Sequence, residues 1–74
     1  MPKLTRMSGK DIIAQLEKRG FVRIRQKGSH VILKRETGDA TAMCVIPLHD
    51  ELAVGTIRGI LRQARISPEE FMND

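Results

Sequence analysis

Two histidines, His30 and His49, are the side chains of this sequence best suited to moving a proton near neutral pH, because imidazole ordinarily titrates in that range. His30 lies within RQKGSHVILKR, residues 25–35, in the company of Arg25, Lys27, Lys34 and Arg35. That company suits a phosphodiester. Cutting RNA requires a group that takes the 2′-hydroxyl proton or protonates the leaving oxygen, together with donors that stabilise charge on the phosphate. Arg25, Lys27 and Lys34 can supply the donors, and Gly28 has no side chain to obstruct an approaching backbone. The residues by themselves leave a plainer reading open, in which His30 is a polar residue on the outside of a strand. His49 precedes Asp50 and Glu51. It reads first as a loop residue whose ring bonds a backbone group or a neighbouring acid, with a supporting part in chemistry as the alternative.

Other reaction classes drop out. The two histidines match no metal motif and neither has a ligand partner at i+4 on a helix, so neither a metal nor another cofactor is expected. Gly55-Thr56 and Gly59 lack the spacing and lysine of a phosphate-binding loop. Ser29 adjoins His30, and successive strand residues point to opposite faces, which argues against a serine nucleophile served by that histidine. Cys44 is the only cysteine. It excludes an intrachain disulfide and reads as a small packed residue, and a reducing, cytoplasmic setting is expected. No apolar run has the length of a signal peptide or a membrane span.

The elements that must hold these groups can be read from periodicity. Ser8 and Asp11 have the form of an N-cap and an acidic N3 residue, with Met7 and Ile12 in staple positions, so a helix of about three turns starts near Gly9. Ile12, Ile13 and Leu16 form its inner side, Gln15, Lys18 and Arg19 its outer side, and Gly20 ends it. In FVRIRQ the period of two predicts Val22 and Ile24 on the core face and Arg23 and Arg25 on the other. Lys27 and Gly28 are expected to form the turn into SHVILKR. There Val31 and Leu33 join the core, while His30 and Lys34 share the open face with Arg23 and Arg25. A bulge would change that register by one residue. Gly38 and Asp39 form a second corner, TAMCVI a third strand ending at Pro47, and LHDELAVG an irregular connection. Thr56 is the expected cap of a helix whose Ile57, Ile60, Leu61 and Ala64 make one stripe. Ser67, Pro68 and Glu70 then spell the start of a last helical turn, with Ile66 and Phe71 as its staple.

The expected fold class is therefore α+β, one domain over residues 1–74. A three-stranded antiparallel sheet carries helices on one face, in the order α-β-β-β-α plus a short C-terminal helix, which is the layout of double-stranded-RNA-binding domains. The other sheet face stays open. A chain of 74 residues leaves little room for a large enclosed site. Charge is divided unevenly: residues 1–35 hold ten Lys or Arg against two acids, and residues 36–74 three against seven, giving +8 and −4. The basic half predicts a surface for a polyanion. Aromatic residues make up only 3% of the chain, so base stacking has few platforms and RNA recognition should rest on its backbone and 2′-hydroxyls.

Four ordered blocks, GKDIIAQLEKRGF, RQKGSH, IPLHDEL and GTIRGILRQARISPEEF, together resemble the HicA toxins of toxin–antitoxin systems over nearly the whole chain. The resemblance implies a small endoribonuclease, an mRNA interferase, that cleaves messenger RNA without a metal and arrests growth. It implies that His30 is catalytic, and that a HicB-type antitoxin covers the surface around it in a larger assembly. Arg23, Arg25, Lys27, Gly28, Ser29 and Lys34 are the residues expected to contact RNA. His49 recurs in the family's pattern and remains a supporting candidate. One departure is Ala64-Arg65, where the family often has Ala-Gly; arginine disfavours a left-handed helix end, so an altered bend into the last helix is expected. The alternative function is a non-catalytic double-stranded-RNA-binding module.

Overall fold

The computed structural model describes residues 5–72. Its elements are helix α1 (Gly9–Lys18), strands β1 (Val22–Lys27), β2 (His30–Thr37) and β3 (Ala40–Pro47), helix α2 (Val54–Ala64) and a short helix α3 (Pro68–Met72). The strands form one antiparallel sheet in the order β1-β2-β3. The predicted α+β architecture is thus the observed one.

Local chemistry sets the helix ends. The Ser8 hydroxyl accepts from the Asp11 amide at 3.1 Å, and Gly20, at φ 92°, takes the left-handed turn after α1. Ser67 and Glu70 cap α3 reciprocally: the Glu70 amide donates to the Ser67 hydroxyl at 3.1 Å and the Ser67 amide to the Glu70 carboxylate at 3.4 Å. Helix α2 starts earlier than expected. Ala53 occupies its N-cap with no side-chain bond, so Thr56 lies inside the helix rather than capping it. Arg65 adopts the left-handed conformation at φ 60° despite its side chain, and the Ile66 amide still bonds the Leu61 carbonyl at 3.0 Å. The left-handed helix end that arginine disfavours is thus adopted all the same, with Ile66 and Phe71 buried on either side of the turn.

The core lies between the sheet and the helices. Ile12, Ile13 and Leu16 of α1 and Ile57, Ile60, Leu61 and Ala64 of α2 meet Val31, Leu33, Ala42, Cys44 and Ile46 of the sheet. Each fully buried aliphatic side chain contributes about 1.5–3 kcal/mol relative to exposure, so β2 and β3 are anchored firmly. β1 is not: all six of its residues are exposed. Val22 and Ile24, expected in the core, are 61% and 49% exposed and lie on the open face.

The cause is a bulge. Arg23 pairs with Leu33 and Arg25 with Ile32, leaving Ile24 as an extra residue between them. One inserted residue shifts the alternation, so the register read from a strict period of two fails along β1. Arg23 consequently faces the helix side with Leu33, not the open side. Two arginines close the rim of the core. Arg35 stacks on Phe21 at 4.8 Å and donates to the Arg19 carbonyl at 3.1 Å. Arg19, expected to point outward, is half-buried: it stacks on Phe71 at 5.2 Å and donates to the Gln15, Glu70 and Phe71 carbonyls. These contacts join the end of α1 to α3. No helix among the described residues is long and apolar enough to cross a membrane.

Candidate active site

His30 opens β2 directly opposite Lys27, with Pro47 of β3 on its other side. The connection between Lys27 and His30 is Gly28-Ser29, one residue later than the expected Lys27-Gly28 turn. Gly28 has φ 60° and Ser29 a negative φ, the arrangement of a type II′ hairpin, which demands glycine first. Lys27 therefore lies outside the turn and is the cross-strand neighbour of His30, a pairing that sets Cβ atoms about 5 Å apart.

Backbone and side-chain bonds hold this turn in place. Gln26 donates its amide to the Gly28 carbonyl at 3.1 Å. The Ser29 carbonyl accepts from the Leu48 amide at 2.7 Å, and the His49 carbonyl accepts from the Gly9 amide at 2.9 Å. Gly9 is buried so tightly that a Cβ there would overlap the Pro47 carbonyl. Three segments far apart in sequence, Gly9-Lys10, Gly28–His30 and Pro47–His49, therefore converge at one end of the sheet. The four resemblance blocks include all three.

Both histidine side chains are exposed. Among the described residues none hydrogen-bonds either imidazole, so the ring nitrogens are open to an incoming ligand. For His49 this differs from the expected ring bond: its fixed contact is made by the backbone carbonyl. Asp50 makes no ion pair among the described residues, and Glu51 pairs with Arg6 at 3.1 Å.

The predicted RNA-contacting residues fall into two groups. Arg25, Lys27 and Lys34 share the open face with His30. Arg25 stands one same-face rung away, beside Ile32, while Lys34 lies farther along, flanked by Val22 and Met43 and ion-paired with Glu36 at 3.8 Å. Gly28 and Ser29 form the turn itself. Arg23 is separated from them by the bulge and lines a groove with Lys10, Ile13, Ala14, Glu17, Gln26 and Leu48 on the α1 side. Nothing in the sequence distinguished Lys10 from other exposed helix lysines. Its position beside Arg23 depends on a bulge that periodicity does not reveal. The open face itself is mixed: cations gather at the His30 end, and beyond them the exposed Val22 and Ile24 of β1 and Met43 and Val45 of β3 lie on either side of Ile32 and Lys34 of β2.

Cys44, by contrast, is buried on the helix side of β3, with its thiol pushed up to about 11 by desolvation. Burial disfavours the thiolate, which is the nucleophilic form. Among the described residues no three His, Cys, Asp or Glu side chains come together in a way that could hold a metal ion.

No curated protein matches the chain. A family model does: the HicA toxin of bacterial toxin–antitoxin systems matches residues 9–66, from the first residue of α1 to the one that follows Arg65. That span contains the complete sheet, both long helices and both histidines, and it covers well over half of the 74 residues. The chain belongs to the HicA toxin family of bacterial toxin–antitoxin systems.

Proposed function

We propose that this toxin is a metal-independent endoribonuclease that cleaves mRNA, with His30 as its general acid or base. The observation that carries the proposal is the placement of an exposed imidazole at a cationic corner, with Lys27 directly opposite and Arg25 one rung away. Acting as a base, His30 takes the proton of a ribose 2′-hydroxyl. The 2′-oxygen attacks the adjacent phosphorus, and the bond from phosphorus to the 5′-oxygen breaks. The products are a 2′,3′-cyclic phosphate and a 5′-hydroxyl, the latter completed by a proton from an acid. Acting as the acid, His30 supplies that second proton instead. Lys27 and Arg25 stabilise the charge that accumulates on the phosphate, Lys34 extends the backbone contact, and Gly28 and Ser29 let the strand approach closely. His49, one residue beyond the Leu48 amide tied to Ser29, is the nearest supporting candidate.

Toxin–antitoxin systems pair a toxin with an inhibitor, and in this reading the inhibitor is a HicB-type antitoxin that covers the His30 face. The exposed Val22, Ile24, Met43 and Val45 on the same face support this, since large apolar side chains gathered on one exposed face are characteristic of protein contacts.

Purified chain incubated with end-labelled RNA in excess chelator should produce new ends. His30→Ala, matched in thermal stability, should lower the rate about 10²–10⁴-fold, the usual contribution of a positioned acid or base. Expression of the parent, but not of the alanine variant, should arrest growth. Salt-sensitive binding without cleavage by the parent would instead favour the non-catalytic RNA-binding module.

A further inference from the structure

The groove on the α1 side of β1 has no part in the proposed cleavage. It has a volume of about 470 Å³ and is lined by Lys10, Arg23, Gln26 and Leu48, with Ile13, Ala14 and Glu17 along its α1 wall. Lys10 and Arg23 are both exposed, and among the described residues neither forms an ion pair, not even with Glu17 on the same groove. Two cations 13 positions apart in sequence thus share one concavity without a direct ion pair, against the single carboxylate of Glu17.

The groove is also joined to the His30 corner through its lining. Gln26 donates to the Gly28 carbonyl, and Leu48 donates its amide to the Ser29 carbonyl. A ligand seated between Lys10 and Arg23 therefore rests on two of the residues that hold the turn before His30. The open face offers a poorer route for a polyanion, because beyond Arg25 it presents Val22, Ile24, Met43 and Val45, and Lys34 among them is ion-paired with Glu36. Phosphates are not well accommodated on apolar surface. A backbone that leaves the His30 corner gains more by turning round the β1 edge, where the bulge has carried Arg23.

From these observations we infer that Lys10 and Arg23 bind phosphates of the RNA strand on the helix side of β1, so that one part of the substrate wraps the edge of the sheet while another meets Lys34 on the open face. The inference rests on the endoribonuclease reading for its ligand. Both residues are binding residues, distant from the scissile bond.

The test uses the full chain in the His30→Ala background, which keeps the RNA intact, and a labelled single-stranded RNA of mixed sequence. Adding K10Q and R23Q together should weaken binding at least tenfold at moderate salt. It should also flatten the salt dependence by about 1.4 in the slope of log affinity against log salt, at about 0.7 for each phosphate of a single strand that is no longer neutralised. A control with K18Q and R62Q removes the same charge elsewhere and should weaken binding only slightly, with little change in slope. With His30 restored, K10Q/R23Q should raise KM and leave kcat within a few-fold. Thermal unfolding of every variant separates weakened binding from a damaged fold. If K10Q/R23Q and the control behave alike, the edge-wrapping path is wrong. If the parent neither cuts nor binds RNA, the endoribonuclease reading itself falls, and the two failures are told apart.

Discussion

Residue types supplied the chemistry of the candidate site, but its positioning depends on backbone contacts at residues with no chemistry of their own. Gly9 is the sharpest case. Its amide holds the His49 carbonyl at 2.9 Å, and its missing Cβ makes room for Pro47. Pro47 is the β3 neighbour of His30. Gly9→Ala should therefore force apart the start of α1 and the end of β3. Overpacking of this kind costs about 1–3 kcal/mol, which for a chain this small lowers the melting temperature by several degrees per kcal/mol. Because the displaced strand end adjoins His30, RNA cleavage by Gly9→Ala should fall even well below its melting temperature. A denaturation curve paired with a cleavage assay checks both. Full activity at unchanged stability would mean that the contact has no structural weight.

β1 carries Arg23, Arg25 and Lys27 yet buries none of its six residues, so it is held mainly by its ladder to β2. β2 and β3, in contrast, place Val31, Leu33, Cys44 and Ile46 in the core. Strands without buried apolar contacts open locally at free energies below global unfolding. Amide hydrogen exchange should therefore be substantially faster across Arg23–Lys27 than across Val31–Leu33, and should slow when RNA or a protein inhibitor covers β1. Equal protection of the two strands would count against a soft edge. The same strand marks where reading the sequence succeeded and where it failed. The α1 stripe, the Ser8 and Ser67 caps, the Gly38 corner and the α2 stripe were legible because each is fixed by interactions among residues close in sequence. So was the presence of His30, Arg25 and Lys34 on one face, whereas Lys27 was expected in the turn and stands instead opposite His30. The bulge at Ile24 was not, since it depends on how β1 meets β2, and it misplaced Val22, Ile24 and Arg23. The convergence of Gly9, Ser29 and His49 was equally hidden, because it consists of backbone bonds between distant segments.

Taken whole, the molecule segregates charge from core: among the described residues no polar or charged side chain is buried. The titratable group buried among the described residues is Cys44, 1% exposed, whose thiol is pushed from an ordinary value of 9.0 to about 11 by desolvation. This has a consequence for stability against pH. In the unfolded chain the thiol releases its proton near pH 9, whereas in the folded chain it holds it to about 11. Between those values the folded state binds more protons than the unfolded state, so the Cys44 contribution falls as pH rises. It is fully present below pH 9 and lost by about 11, a change on the order of 3 kcal/mol. The chain contains no tyrosine, so no phenol titrates in the same window, and the lysines are common to parent and variant. Cys44→Ala should start less stable at pH 8, because it leaves a small cavity, but should lose less on going from pH 8 to 10.5. Urea midpoints for both proteins at several pH values in that range measure the difference directly. Parallel declines would show that the thiol ionises as readily folded as unfolded, and that β3 does not shield it from water.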